Sequence, residues 1–458
     1  MSENQNTMDM TSGPCAKQIL VFGTPLLAGN LLQQLYNFVD TIVVGRGIGV
    51  DALAAVGLTG SLNFLVLGFV IGLSQGVSIL VSQYFGARDP QSIRRSITMS
   101  FFLCFGFSII ITFLAFFGTE WLLRWIQTPE DLVANAKLYI QIIFACMSVS
   151  MCYNFYSGIL RAFGDSKNPL IAMILSFFLN TILDIVLVIP CKMGVAGAAI
   201  ATVVAQLFSA IYCFTFVQRI QEAKIKKEDW KWNPYLFFRS LKLSIPVAIM
   251  NSITAVGVMV LQSAINQFGS IYIAGYTAAS KVIILLEQIP STYGFATGTF
   301  VGQNLGANHL GRIKKGVKSM NLAMAFMCLA CCVLIFLFGE FLMKVMIGGN
   351  EHETMLIGFH CLKILSLFLV GLGWLWIFRC ALQSMGDTFW PMISGIVELV
   401  ARIGMVALLP VFLSFDGILL AEVSAWVAAA CMLAIVYWIT IRKLDQSHLL
   451  MERLPLEV

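Results

Sequence analysis

Long apolar runs broken by short polar stretches recur along the chain from residue 17 to residue 440. Twelve of them can be marked: 17–44, 52–82, 96–118, 132–157, 168–189, 195–217, 240–268, 271–300, 319–339, 355–378, 390–411 and 417–440. A helix rises about 1.5 Å per residue, so a run of about 20 residues crosses a hydrocarbon core of about 30 Å. The runs longer than about 25 residues can tilt or extend beyond the bilayer. Strands of a membrane barrel would instead alternate apolar and polar positions over about 10 residues. The pattern therefore predicts an all-α integral membrane protein of twelve transmembrane helices, with polar tails at 1–16 and 441–458.

The most polar connection, Gln218 to Trp232, falls in the middle. It is basic and amphipathic. The segment 218–239 is expected to lie along the cytoplasmic membrane surface, with its tryptophans at headgroup level. It divides a first lobe, 17–217, from a second, 240–440.

The two lobes repeat each other. Pro25 in the first span matches Pro246 in the seventh. Gln83-Tyr-Phe-Gly-Ala-Arg-Asp89 matches Gln303-Asn-Leu-Gly-Ala-Asn-His309, and Arg161-Ala-Phe-Gly-Asp165 matches Leu382-Gln-Ser-Met-Gly-Asp387. Ordered landmarks at a near-constant offset mark an internal duplication. Six spans per half is an even number, so both halves enter the membrane in the same direction. They are expected to be related by a pseudo-two-fold axis along the membrane normal.

Composition agrees with this. Of 458 residues, 59% are hydrophobic and 12% charged, against roughly 25% charged in soluble domains. The mean hydropathy is +0.85. The net charge of +5 does not point to nucleic acid, because 21 of the 29 Lys and Arg fall in the tails and alternate loops. Arg46, Arg124, Lys192 and Lys344 lie in the opposite loops, and Lys137, Lys281, Lys363 and Arg402 in spans or at their edges. This positive-inside pattern places both termini in the cytoplasm. The twelve cysteines lie mostly in spans, without zinc spacing, and read as small apolar packers. No cleavage motif follows the first span, so no removed signal peptide is expected.

Ionisable residues inside spans are costly and mark function by default. Asp40 ends the stretch Asn30 to Asp40 of the first span, and Asp184 lies deep in the fifth, four residues after Asn180 on the same helix face. Two carboxylates that approach each other cannot both stay ionised cheaply, which suits binding of H⁺ or Na⁺. Glu398 and Arg402 are four apart and read as an internal salt bridge. Glu287 and Lys281 are further charges of the second lobe. Glu422 stands opposite Thr202 in the repeat, near enough to the end of its span to reach water. Gln34, Asn37, Asn154 and Gln206 are polar residues within spans, where interhelical hydrogen bonding competes with drug contact. Pro25 removes a backbone hydrogen bond and is expected to bend the first span. No Walker motif, metal-spaced histidines or nucleophile with a base is present, so neither an ATP-driven pump nor an enzyme is expected.

The span-one Pro with its Gln-Leu-Tyr-Asn-Phe-Val-Asp run, the Gln-Tyr-Phe-Gly-Ala and Leu-Arg-Ala-Phe-Gly-Asp loops and the two-times-six arrangement resemble the multidrug and toxic compound extrusion (MATE) family over residues 14–445. The resemblance implies two six-helix lobes and export of cationic or amphipathic compounds in exchange for H⁺ or Na⁺. Its DinF-like branch implies a cation site at Asp40, Asn180, Asp184 and Thr202, with Tyr139 nearby, and Na⁺ ligation by the first four. Depth is consistent: Asp40 and Asp184 lie about 6–8 Å before the outer ends of their spans, Tyr139 and Thr202 about 10 Å inside theirs. The repeat mates of Asp40 and Asp184 are the apolar Leu261 and Val406. Gln34, Asn37, Asn154, Gln206, Glu287 and Arg402 are the candidate substrate contacts. The reading is a monomeric, cofactor-free exporter of small organic molecules, multi-pass in the inner (plasma) membrane, in contact with lipid and not nucleic acid. The alternative is a flippase for lipids or lipid-linked oligosaccharides, which belongs to the same superfamily and would present a cationic cavity to an anionic headgroup.

Overall fold

The computed structural model describes residues 7–125, 128–347 and 351–453, so the ends of both expected tails lie outside the described residues. The first repeat comprises α1 (Cys15–Gly47), α2 (Val50–Gly86), α3 (Pro90–Trp125), α4 (Glu130–Ala145), α5 (Met147–Ala162), α6 (Lys167–Val188) and α7 (Gly194–Val217). The second comprises α8 (Pro234–Ile265), α9 (Ser270–Gly306), α10 (Leu310–Ile347), α11 (His352–Leu367), α12 (Leu369–Ser384) and α13 (Phe389–Arg453).

Among the described residues, nine helices are alone long and apolar enough to cross a membrane. The pairs α4–α5 and α11–α12 pass the same test together, bent by 48° and 46°. α13 is broken at Ser414, whose φ of 49° is not helical. Counting each bent pair once and α13 twice, there are twelve spans, six per repeat. Most expected boundaries fall within about seven residues, but α10 begins nine residues before and ends eight after the expected 319–339, and the last helix runs on to Arg453. The tenth span runs past residue 378 to Ser384, which brings Arg379 inside it.

Left-handed backbone recurs in register. Gly49, Arg88, Gly164 and Gly194 have positive φ in the first repeat, and Gly269, Asn308, Gly386 and Ser414 have it at the matching places in the second. These are the turns that open α2, α3, α6, α7 and their counterparts, so the duplication is one of backbone as well as of motif.

The chain forms two compact units. Unit 1 holds residues up to Asp9 and Thr24–Ala255; unit 2 holds Met10–Gly23 and everything from Val256. In unit 1, α2 packs on α3, α4 and α5, and α7 packs on α4, α5 and α6. Its core includes Leu73, Phe144, Phe155 and Phe163, each at most 1% exposed. In unit 2, α9 packs on α10, α11 and α12, and α12 packs on α13. The opposite faces are apolar too: Phe113, Leu114, Phe117 and Trp121 of α3 are 63–69% exposed. Water does not tolerate a surface of that kind, whereas lipid does.

Each repeated Gln motif anchors a segment of its own unit. Gln83 accepts a hydrogen bond from Arg239 Nη2 at 3.0 Å, holding the start of α8 in unit 1. Gln303 accepts from the Met10 N–H at 2.9 Å, holding residues 10–23 in unit 2. α8 comes close to α2 because Gly72 and Gly76 carry no side chain. A Cβ on Gly72 would stand 2.4 Å from the Ala248 backbone, and one on Gly76 2.6 Å from Ser244 Cα. Small residues at helix crossings permit this approach.

The linker contains only short 3-10 turns, Gln221–Ala223 and Lys227–Trp230. Despite its basic character its anchor is acidic. Asp229 is 3% exposed and accepts from Arg94 Nε of α3 at 2.9 Å. The rings of Trp230 and Trp232 lie 5.6 and 6.2 Å from Phe102, also of α3.

Candidate functional site

α1 runs as one helix through Pro25, and unit 1 takes it over at Thr24, one residue before that proline. Two turns of its remaining length carry Tyr36 and Asp40, four apart and so on one face. α6 presents Asn180 and Asp184 with the same spacing. α4 brings Tyr139 and α7 brings Thr202. All six belong to unit 1.

Asp40 is 9% exposed, Asp184 0%, Asn180 1% and Tyr139 8%. The carboxyl groups of Asp40 and Asp184 meet. Both are acceptors when ionised, so the contact satisfies neither. Asp40 Oδ1, Asp184 Oδ1 and Asp184 Oδ2 are buried without a hydrogen-bond partner. Asn180 stands beside Asp184, but its Nδ2 makes no hydrogen bond. Tyr139 lies within electrostatic reach of both aspartates. Among the described residues no cationic side chain acts on Asp40 or Asp184; what does is burial, Asn180 and each other. Leaving one buried polar group unpaired costs about 1–3 kcal/mol, more for a charge. Four such atoms together, three of them carboxyl oxygens, call for a proton or a small cation. A hard cation takes oxygen ligands, and Asp40, Asp184, the Asn180 carbonyl and Thr202 supply them.

Tyr36 is the member of the cluster that the sequence reading passed over. Its hydroxyl lies against Thr202 and near both aspartates, and is itself buried without a hydrogen-bond partner. The signal was available, one helical turn before Asp40.

The other expected site residues are placed differently. Gln206 accepts from Ser150 Oγ, and Asn154 donates to the Ser150 carbonyl, so both tie into a contact between α5 and α7. Gln34 is half-buried and Asn37 exposed on α1. In unit 2, Arg402 is 2% exposed and binds Glu422 through two contacts, Nε to Oε2 at 2.5 Å and Nη2 to Oε1 at 2.8 Å. This corrects one expectation and extends another. Glu422 does not simply reach water; its side chain is 12% exposed and turned onto Arg402. The expected Glu398–Arg402 ion pair is present, one helical turn apart at 3.8 Å, but each has a closer partner. Glu398 also pairs with Arg379 of α12, which donates as well to Ser394 at 3.0 Å. Glu287 feels both Glu422 and Arg402, while Lys281 is exposed. Among the described residues no group of three or more His, Cys, Asp or Glu could hold a metal ion.

A family model described as MatE matches residues 25–186 and again 246–408, which together are more than half of the chain. The chain is 28% identical over 432 residues to a probable multidrug resistance protein, YpnP, of Bacillus subtilis, covering 94% of this chain and 96% of that protein. It is 26% identical over 388 residues to another from the same organism, YoeA, covering 83% of each. Among solved structures it is similar to the outward-facing conformation of a multidrug resistance MATE family transporter. The TM-score is 0.89 at 22% identity, over 97% of this chain and 100% of the other.

Proposed function

This chain belongs to the MatE family, and from that premise we propose that it is a cation-coupled antiporter exporting cationic or amphipathic organic compounds across the cytoplasmic membrane. The observation that supports this reading is the buried Asp40–Asp184 pair with its unfilled oxygens. A proton on one carboxyl lets its O–H donate to the other. A sodium ion is held by the same oxygens with Asn180 and Thr202. Either occupant relieves two close charges in a low-dielectric site, and the site refills from whichever side offers more of the ion. Tyr36 and Tyr139 shape the site and exclude competing water.

Transport then proceeds by alternating access, in a single chain with both termini cytoplasmic. Pro25 leaves the carbonyl one turn earlier in α1 without its helical donor, which makes this the place for that helix to bend when Asp40 changes its occupant. An acidic unit 1 favours cationic cargo, with Gln34 and Asn37 of α1 as its polar contacts.

The test is substrate efflux from proteoliposomes under separate pH and Na⁺ gradients, with Asp40→Asn and Asp184→Asn beside wild type. Loss of coupling in both variants is expected. Undiminished coupling to either gradient in both would remove the site from the mechanism. Transport of a lipid-linked anion in place of organic cations would favour the flippase reading.

A further inference from the structure

Unit 2 carries at the matching place what unit 1 lacks: a buried arginine. The register is fixed at several points. The two family matches start 221 and end 222 residues apart, and Gly164 and Gly386, the left-handed turns before α6 and α13, are 222 apart. Arg402 therefore stands where unit 1 has Asn180. Gly197 and Gly417, each lying against the backbone of the preceding span at Leu187 and Leu409, set the register of the last span, where Glu422 stands for Thr202. Counting from Pro25 and Pro246, Gly257 stands for Tyr36 and Leu261 for Asp40.

The geometry follows this substitution. The Arg402 guanidinium is held two-pronged by Glu422, so the Arg402–Glu422 pair joins the two positions that Asn180 and Thr202 occupy in unit 1. Its remaining nitrogen, Nη1, is buried without a hydrogen-bond partner and points at Gly257. A Cβ on Gly257 would lie 2.4 Å from it, so the guanidinium takes the room that position 36 fills with a tyrosine. Glu287 lies within electrostatic reach of the pair. An arginine does not release its proton in proteins, and its charge cannot leave the chain.

We propose that Arg402 is a tethered cation that fills the unit 2 counterpart of the cation site, leaving ion coupling to unit 1 alone. The inference rests on the unit 1 site proposed above. It makes Arg402 a specificity-determining residue: the carboxylates of Glu422 and Glu287 are present in unit 2, but they are already answered by a charge that never exchanges. Removing that charge converts Glu422 and Glu287 into a facing pair of the Asp40–Asp184 kind.

The test measures binding of radioactive sodium, and of protons by a pH indicator, to purified full-length protein in detergent. Asp40→Asn with Asp184→Asn is expected to lose saturable cation binding. Adding Arg402→Asn, the residue of the matching position, is expected to restore it, and adding Glu422→Gln to remove it again. A triple variant that melts cooperatively yet binds no more cation than the double variant would overturn the proposal. A second arm needs no change at Arg402. If the double variant keeps cation binding that Glu422→Gln or Glu287→Gln abolishes, unit 2 is open with its arginine in place and the proposal fails. Residual binding that survives both of those changes would instead overturn the unit 1 site on which it rests.

Discussion

Asp40 of α1 and Asp184 of α6 meet inside unit 1, and three of their four carboxyl oxygens are buried with no hydrogen-bond partner. Replacing either carboxylate by its amide removes one charge and supplies a donor to the other, so the site no longer needs a cation. Asp40→Asn and Asp184→Asn should each lower ion-driven efflux at least about tenfold, the scale of about 1.4 kcal/mol. The amide is nearly isosteric, so melting temperatures in detergent should stay near wild type. Added sodium, if it is the coupling ion, should raise the melting temperature of wild type but not of Asp184→Asn, since a ligand stabilises only the state that binds it.

Tyr36→Phe deletes a buried hydroxyl that has no hydrogen-bond partner. A group that contributes no bond in the resting protein costs little to remove, within about 1 kcal/mol of stability. If the hydroxyl instead serves the loaded site, cation affinity should fall several-fold while stability holds. Titration of efflux against sodium or proton concentration separates the two; equal affinity in Tyr36→Phe and wild type would restrict Tyr36 to packing.

The Arg379–Glu398 pair, with side chains 3% exposed, is a structural contact between α12 and α13. Arg379→Ala should destabilise unit 2 by about 3–5 kcal/mol, because it strands a buried carboxylate. Replacing both by apolar residues of similar volume should recover most of the loss. Thermal melting of the single and double variants distinguishes this from a transport role, in which the double variant would be stable but inactive.

Asp229 ties the linker to α3 through Arg94, with side chains 4% and 14% exposed. Asp229→Ala removes that ion pair and leaves Arg94 Nε unanswered, a cost of about 1–3 kcal/mol. Limited proteolysis between residues 218 and 233 should become faster. Unchanged cleavage would mean that the Trp230 and Trp232 contacts with Phe102 hold the linker without it.

The twelve spans, the duplication and the two buried aspartates were legible in the chain, because each is a local signal. Apolar length, a motif repeated at one offset and a carboxylate amid hydrocarbon need no knowledge of neighbours. The errors have a common source in partners that lie on other helices. Arg379 lies one residue beyond the apolar run that marks the tenth span, so the run alone does not show it as a buried partner of Glu398. Tyr36 was passed over because a tyrosine in a span is usually packing.

By itself, then, the sequence determined a twelve-span membrane protein of two repeats, with two aspartates deep in spans of the first and both acidic and basic residues deep in spans of the second. A spacing of four residues reports only neighbours on one helix face, so it paired Arg402 with Glu398. The tertiary structure keeps that pair and adds a closer partner to each. α13 breaks at Ser414 and folds back, which delivers Glu422 to Arg402, while α12 delivers Arg379 to Glu398. Buried charges must be answered wherever packing places them, and that placement is set by helix crossings that no single stretch of sequence contains.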